Sequence, residues 1–296
     1  MASVVEIKNR IASVSSIMKV TKVMHMISVS KLNKSRGIRG YYDSVRDEFG
    51  VLVKNVLDNF ADSYMLDTFF RKKRSKLIIV LSSDRGLCGN VNSSVFKTFR
   101  NEVEKAISEY ESVYVLPVGK KASVFVGRNR VNLSNLYSNL EFVGVENAFH
   151  SESFDVNVLN EISSFVNDFY KNKSCDISVV YSHFKNVITS EPVVSDVFAS
   201  FKVDDSSVGY SEYYNIYDSQ SVLEGVMSLY LSSVLKSFYF DHMTSVYSNR
   251  MKAMDNATKN SQELSFQLKL SYNKIRQAMI TNELSDIVSG SEATAV

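Results

Sequence analysis

Proline is almost missing from this chain of 296 residues: it occurs twice, at Pro117 and Pro192, both in the middle. Glycine is absent from Met1 to Arg36 and again from Val226 to Ser289. Such breaker-free stretches exclude loop-rich ends and predict long helices at both termini. At ~1.5 Å per residue, the C-terminal stretch alone would extend roughly 95 Å. The two cysteines, Cys88 and Cys175, have no partner at CxxC or CxxH spacing. That excludes a disulfide framework or a zinc knuckle and predicts two reduced thiols. The histidines, His25, His150, His183 and His242, are scattered, with no i, i+4 pair to grip a metal. The longest strongly apolar run, Leu77 to Leu81, is far too short to span a bilayer. Met1 to Lys8 lacks a basic start followed by an apolar block, so no signal peptide is expected.

What is present is ordinary in bulk and uneven in detail. The apolar fraction is 45% and the charged fraction 22%, values typical of a globular protein with a sizeable core. The net charge is only +2, yet Met1 to Gly40 holds eight Lys or Arg against the single acid Glu6. Glu141 to Asp218 holds thirteen acids against four lysines. The basic end therefore calls for an acidic partner. Nucleic acid is a rival for that role. However, the basic residues alternate with apolar seam positions and no aromatic stacking platform accompanies them, so none is expected.

Ile7, Ile11, Val14 and Met18 step by four, three and four, the spacing of a coiled-coil seam. A second stripe, Ile17, Val20, Met24 and Ile27, is rotated from the first, so this helix must be covered on several sides. Near the other end Leu264, Leu268, Tyr272, Ile275 and Met279 form the predicted matching seam. Met18 and Met254 read as core filler, while Met24 reads equally as core or as an adaptable contact. Two seamed helices at opposite ends can pair antiparallel, with the intervening sequence as a large insertion.

That insertion changes period. Lys76–Ser82, Ser112–Pro117 and Asp176–Tyr181 read as short buried strands, and Glu191 to Phe201 as an edge strand. Helical spacing intervenes at Asn92–Tyr110, Lys120–Val126 and Phe154–Lys171. This alternation predicts an α/β class with long helices: a Rossmann-like layer of mostly parallel strands beside an antiparallel coiled coil. The expected divisions are 1–70, 71–205 and 206–296.

Three segments are candidates for chemistry. Ser82–Asn90 follows a strand and precedes a helix, the place where a nucleotide-binding fold cradles phosphate. Its spacing is GxxG, with no GxGxxG and no P-loop lysine, so a tight turn tied down by Asp84 and Arg85 is the stronger reading. Cys88 in that turn reads as a buried small residue rather than a nucleophile. Gly119-Lys120-Lys121 reads as a charged loop leading into a helix, with anion binding as the alternative. Asn273, Arg276, Gln277, Thr281, Asn282 and Glu283 put hydrogen-bonding groups almost all round the last helix, as a helix end enclosed by polar protein would need.

Three segments carry a resemblance: "EIKNRIASVSSIMKVTKVMHMISVSKL" from Glu6 to Leu32, "LSSDRGLCGNVN" from Leu81 to Asn92, and "RMKAMDNATKN…LSYNKIRQAMITNELSDIVSG" from Arg250 to Gly290. In order and together they resemble the gamma-subunit family of F-type ATP synthases. The resemblance implies a central rotor shaft whose coiled coil turns inside a ring of three alpha and three beta subunits. Its foot stands on the c-subunit ring beside epsilon. A lopsided shaft presses differently on each beta subunit, and only such differential contact shifts a site's equilibrium.

Carried over by motif, Lys22, Met24, Arg276, Gln277, Thr281 and Glu283 are the expected rotor–stator contacts. Lys34, Arg36 and Tyr217 are expected toward the c ring or epsilon. The resemblance implies no catalytic residue, cofactor or metal in this chain. It also implies a peripheral position on the cytoplasmic face of a bacterial inner membrane, or the matrix side in an organelle. Asn90 stands where the family usually has glycine, the usual proline near Tyr217 is absent, and Val246 stands where an acid is common, so a charged contact is expected to be missing there. The alternative is a non-rotary coiled-coil scaffold with an α/β head.

Overall fold

A computed structural model describes residues 4–60, 73–136, 139–144, 156–198 and 219–294. Two helices dominate: α1, Val4–Phe60, of 57 residues, and α5, Ser219–Thr294, of 76. Between them come β1 (Ser75–Leu81), α2 (Val91–Glu109), β2 (Ser112–Val118), α3 (Lys120–Leu136), β3 (Leu140–Phe142), α4 (Val156–Lys173), β4 (Cys175–Phe184) and β5 (Ser190–Asp196). The chain divides into two units, one of Met1–Ser28 with Arg250–Val296, the other of Val29–Asn249.

In the second unit the sheet order is β3-β2-β1-β4-β5. β1 pairs parallel with both β2 and β4, β2 with β3 likewise, and β5 closes the edge antiparallel to β4. The strands read as unbroken apolar runs because both faces are covered. Ile78, Val80, Val113 and Val115 face α2 and α3, meeting Val95, Phe99, Val103, Ala122 and Val126. Leu77, Ile79, Leu81, Leu116 and Val179 point the other way, onto Ile162 and Val166 of α4 and Leu223, Met227, Leu231 and Val234 of α5. Val53 and Val56 of α1 join that layer. Alternation along each strand thus feeds two cores, as a period of two requires.

Within this unit α1 and α5 run antiparallel. The Lys31 ammonium lies 5.5 Å from the centre of the Tyr247 ring, Ser35 Oγ is 2.7 Å from Thr244 Oγ1, and Arg46 Nη1 donates to Ser237 Oγ at 3.1 Å. One number falls as the other rises. A Cβ at Gly50 of α1 would meet Tyr230, at 3.8 Å. Asp241 of α5 is a charged anchor. It takes the Phe184 backbone N–H at 3.1 Å, pairs with His183 Nδ1, and lies 3.2 Å from Arg39 Nε of α1. Burial raises its pKa, and these partners pull back against that rise.

The other unit is a plain helix pair. On α1 the sheltered positions include Ile7, Ile11, Val14, Met18, Thr21, His25 and Ser28, a four-three alternation, with Val4, Ser15 and Met24 half-buried beside it. On α5 the facing seam includes Met254, Thr258, Ser261, Ser265, Leu268, Tyr272 and Ile275, with the buried Arg250 at its start. Thr258 Oγ1 donates to Thr21 Oγ1 at 2.9 Å across the pair. The predicted C-terminal seam is corrected at its start: Leu264 is 44% exposed and Ser265 occupies the buried position. Its predicted end, Met279, is exposed as well. Hydrophobicity pointed to the leucine, but the four-three register and the close approach of two helices select the serine. Of the methionines weighed as filler, Met254 is buried while Met18 and Met24 are half-buried.

Candidate functional site

The expected stator contacts fall in two groups on the helix pair. Taking Thr21 and Thr258 as level, Lys22 and Met24 stand near residues 255–257 of α5. Arg276 lies roughly 30 Å farther along, at ~1.5 Å per residue. Lys22 is exposed and Met24 half-buried, and Arg276, Gln277, Thr281 and Glu283 are all exposed. The same register puts Val4, the first described residue of α1, level with residue 275. Every residue from 276 to 290 is exposed, whatever side of the helix it occupies. Thr281 Oγ1 bonds back to the Gln277 carbonyl at 2.9 Å.

Polar groups are only half of this surface. Ile280, Leu284, Ile287 and Val288 are 47 to 67% exposed at helical spacing. The sequence reading passed over this stripe, though its i, i+4, i+7, i+8 spacing was there to be counted. On α1 the second stripe behaves likewise: Ile17, Val20 and Ile27 are 51 to 59% exposed, joined by Val23 and Met26. The sequence required that stripe to be covered, and among the described residues nothing covers it beyond half-burying Met24. Exposed apolar area of this extent marks a surface meant for another protein. Lys34 and Arg36 lie on α1 in the second unit; both are exposed, and the Arg36 guanidinium lies 6.0 Å from the Phe184 ring centre. Tyr217 falls outside the described residues.

The other candidate is the carboxyl end of the sheet. In open α/β sheets ligands enter where the strand order reverses, here between β1 and β4. Two residues beyond the paired Val80 and Val180 stand Ser82 and Ser182, on the two sides of that crevice. α5 fills it. His242 Nδ1 accepts the Ser182 backbone N–H at 3.1 Å, and the Ser82 backbone lies against the same imidazole. Since Nδ1 accepts, the ring proton belongs on Nε2. Full burial pushes the His242 pKa down to about 3, the Ser82 contact opposing the fall, so the ring is neutral. Ser245 Oγ is 2.6 Å from Ser182 Oγ, and Val246 packs on Cys88 and on Val91 in the first turn of α2.

The turn itself is closed by its own groups. Asn92 Oδ1 accepts from Ser83 N at 3.1 Å, and its Nδ2 donates to Ser83 Oγ and to Cys88 Sγ. The first N–H groups of α3 are also taken: Lys120 N by Asp84 Oδ1 at 2.9 Å, Lys121 N by the Ser83 carbonyl, and Ala122 N by Ser82 Oγ at 2.7 Å. A helix N-terminus whose donors are satisfied internally has none to offer an anion. Asp84 thereby ties the Ser82–Asn90 turn to α3, as the tight-turn reading expects, and Cys88 is a buried thiol with 2% exposure. Gly119 is required: its φ is +95°, and a Cβ there would sit 2.3 Å from the Ser82 oxygen. Val246 stands where the resemblance makes an acid common. That position has no exposed area and faces inward onto the turn.

Comparison with known proteins is consistent with this arrangement from end to end. The sequence profile of a family described as ATP synthase matches residues 3–294. An ATP synthase gamma chain from Clostridium novyi is 32% identical over 99% of this chain and 98% of its own length. One from Parvibaculum lavamentivorans is 30% identical over 99% of this chain and all of its own. Among solved structures, a chain of the Euglena gracilis mitochondrial ATP synthase, in an OSCP/F1/c-ring assembly, matches at a TM-score of 0.62. It is 14% identical and the match covers 98% of this chain and 94% of that one, a likeness of fold. A Tetrahymena thermophila chain from the central stalk and c ring matches at 0.51 over 80% of this chain. With two relatives aligned along their whole length and the same long-helix and sheet architecture, this chain belongs to the ATP synthase gamma chain family.

Proposed function

We propose that this chain is the central rotor shaft of an F-type ATP synthase, carrying ion-driven rotation of a c ring to three catalytic beta subunits. The observation that carries the reading is the bare end of α5. Residues 276–290 are exposed on every side while presenting Ile280, Leu284, Ile287 and Val288 among Arg276, Gln277 and Glu283. A helix so mixed gains from being encircled by a surface both apolar and polar. Contacts made partly by polar groups can be exchanged as the shaft turns, since each net hydrogen bond is worth only ~1 kcal/mol.

In this reading Arg276, Gln277, Thr281 and Glu283 meet the alpha–beta ring at one level and Lys22 and Met24 at another. The basic face of α1 meets acidic segments of beta. Lys34 and Arg36, with Tyr217, lie toward the c ring and epsilon. The chain is itself non-catalytic, supplying asymmetric contact rather than chemistry. No described helix is long and apolar enough to cross a membrane. The shaft accordingly works as a peripheral subunit, on the cytoplasmic face of a bacterial inner membrane or the matrix side of an organellar one.

Reconstitution tests it. Mixed with alpha and beta subunits, the chain should enter a complex at one copy per three alpha–beta pairs, and steady ATP hydrolysis should appear only then. The Arg276→Ala, Gln277→Ala double variant should keep its helical circular dichroism yet lose at least about tenfold in assembly affinity or turnover. A double variant that assembles and turns over like the parent would remove these two residues from the contact. Failure of the parent chain to assemble at all would favour the scaffold alternative.

A further inference from the structure

Ser163 of α4 is out of step with other buried hydroxyls on the helices of the sheet-containing unit. Ser233 bonds back to the Tyr230 carbonyl and Thr244 to that of Phe240, each at 2.7 Å. Ser163 is 4% exposed, and its Oγ has no hydrogen-bond partner among the described residues. It lines a cavity of about 20 Å³ enclosed by α4, the sheet and α5. On that scale a water needs about 10–15 Å³, so the space suits one small molecule or ion. Ile79, Leu81, Val118 and Val179 of the sheet form its apolar floor, and Lys236 of α5 stands on its wall. Lys236 is half-buried, and among the described residues no carboxylate pairs with it. Burial alone lowers its pKa, which marks an ammonium with no counter-charge.

We propose that this cavity is a binding site for one small monovalent anion, of chloride size, held between the Ser163 hydroxyl and the Lys236 ammonium. Both groups have a proton to donate, so the occupant they select is an acceptor. A buried hydroxyl without a partner is costly, and so is a half-buried ammonium without an opposite charge. One anion answers both. A water molecule would serve the hydroxyl and leave the lysine uncompensated. The apolar floor favours a weakly hydrated halide over sulfate or phosphate. Those bring more charge and more oxygens than one hydroxyl and one ammonium can satisfy. Ser163 and Lys236 come from different helices, so the ion joins α4 to α5. It adds to the hydrogen bond from Asn167 Nδ2 to Ser232 Oγ, 3.4 Å long, that already links them. The site belongs to the sheet-containing unit and does not depend on the shaft reading.

The full chain, without partners, tests it. At constant ionic strength, exchanging gluconate, which is too bulky for the cavity, for about 0.1 M chloride should raise the thermal midpoint by about 3 °C. Lys236→Met and Ser163→Ala should each abolish that chloride dependence, whatever they do to the midpoint itself. A rise that survives in Lys236→Met would put the anion elsewhere and overturn the assignment. No rise in the parent chain would overturn it too, leaving the cavity to water. Should the variants fold poorly, bromide reads the site directly in the parent. Crystals grown in bromide should show an anomalous scattering peak between Ser163 and Lys236, and crystals with no peak there would refute the site. None of these outcomes bears on whether the chain is a rotor shaft, which the reconstitution decides separately.

Discussion

The two units bury different things. In the sheet-containing unit the interior is Leu, Ile, Val and Phe on both faces of five strands. In the helix pair, among the described residues, only seven are buried: Ile7, Val14, Thr21, Ser28, Arg250, Met254 and Ser265. Four of those seven are polar, so the pair has little apolar area with which to hold itself. At ~25 cal/mol per Å² of apolar surface, the gain from three aliphatic side chains is small beside that of a full core. Its larger apolar residues, Ile17, Val20, Ile27, Ile280 and Leu284, face outward. One unit spends its hydrophobicity on its own stability. The other keeps its hydrophobic surface for whatever surrounds it.

That contrast is breakable, most forcefully at the core. Phe99→Ala removes a ring with 1% exposure and should cost ~3–5 kcal/mol, read as a lowered urea midpoint. The matched truncation Ile27→Ala on the helix pair should shift that midpoint by less than ~0.5 kcal/mol and instead weaken assembly with alpha and beta. Equal stability losses at the two sites would abolish the distinction. Next in size, Gly119→Ala combines a left-handed backbone with a Cβ driven into the Ser82 carbonyl. It should destabilise the sheet unit by more than ~2 kcal/mol in the same titration while leaving the helix pair's own spectrum unchanged.

The filled crevice gives a pH test. Unfolded, the His242 ring takes a proton near 6.5; folded, it refuses one until about 3. Its contribution to stability is therefore complete above pH 6.5 and is drained as pH falls from 6.5 toward 3, at a slope approaching one proton. Asp241, with its raised pKa, works weakly in the opposite sense in acid. His242→Gln should flatten the pH dependence of the unfolding midpoint between pH 6 and 4; an unchanged slope would mean the acid sensitivity lies elsewhere. Smallest of all is the seam. Replacing Thr21 and Thr258 together by Val exchanges the bond between them, and their bonds back to the Met18 and Met254 carbonyls, for apolar contact of the same shape and should change stability by under ~1 kcal/mol. Either single replacement should cost more than the pair.

What the sequence disclosed follows from locality. Strands β1, β2 and β4 and helices α2 and α4 announce themselves within windows of a few residues, through runs such as Leu77–Leu81 or the Val95, Phe99, Val103 spacing. The helical ends were legible because proline and glycine are absent there. The three-residue strand β3 was missed because Leu140–Phe142 is too short to show a period. Leu264 was misjudged because a seam of small polar residues leaves no hydrophobic signature. The filling of the crevice was invisible for another reason. Ser82 and Ser182 are separated from His242 by 160 and 60 positions, and no periodicity links a strand end to a helix so distant. The turn at Ser82–Asn90 was read correctly as a turn, but what stands above it is decided by tertiary packing alone.

The two thiols leave a practical opening. Cys88 is covered by Val246 and accepts from Asn92, and Cys175 opens β4 with no exposed area and a pKa pushed up to about 12. Maleimides need an accessible thiolate, and neither side chain supplies one. A single cysteine introduced at Gln277, on the bare stretch of α5, would thus be the first to take a fluorophore under native conditions. The wild-type protein would stay dark, and the motion of this helix could be followed optically with no other site altered.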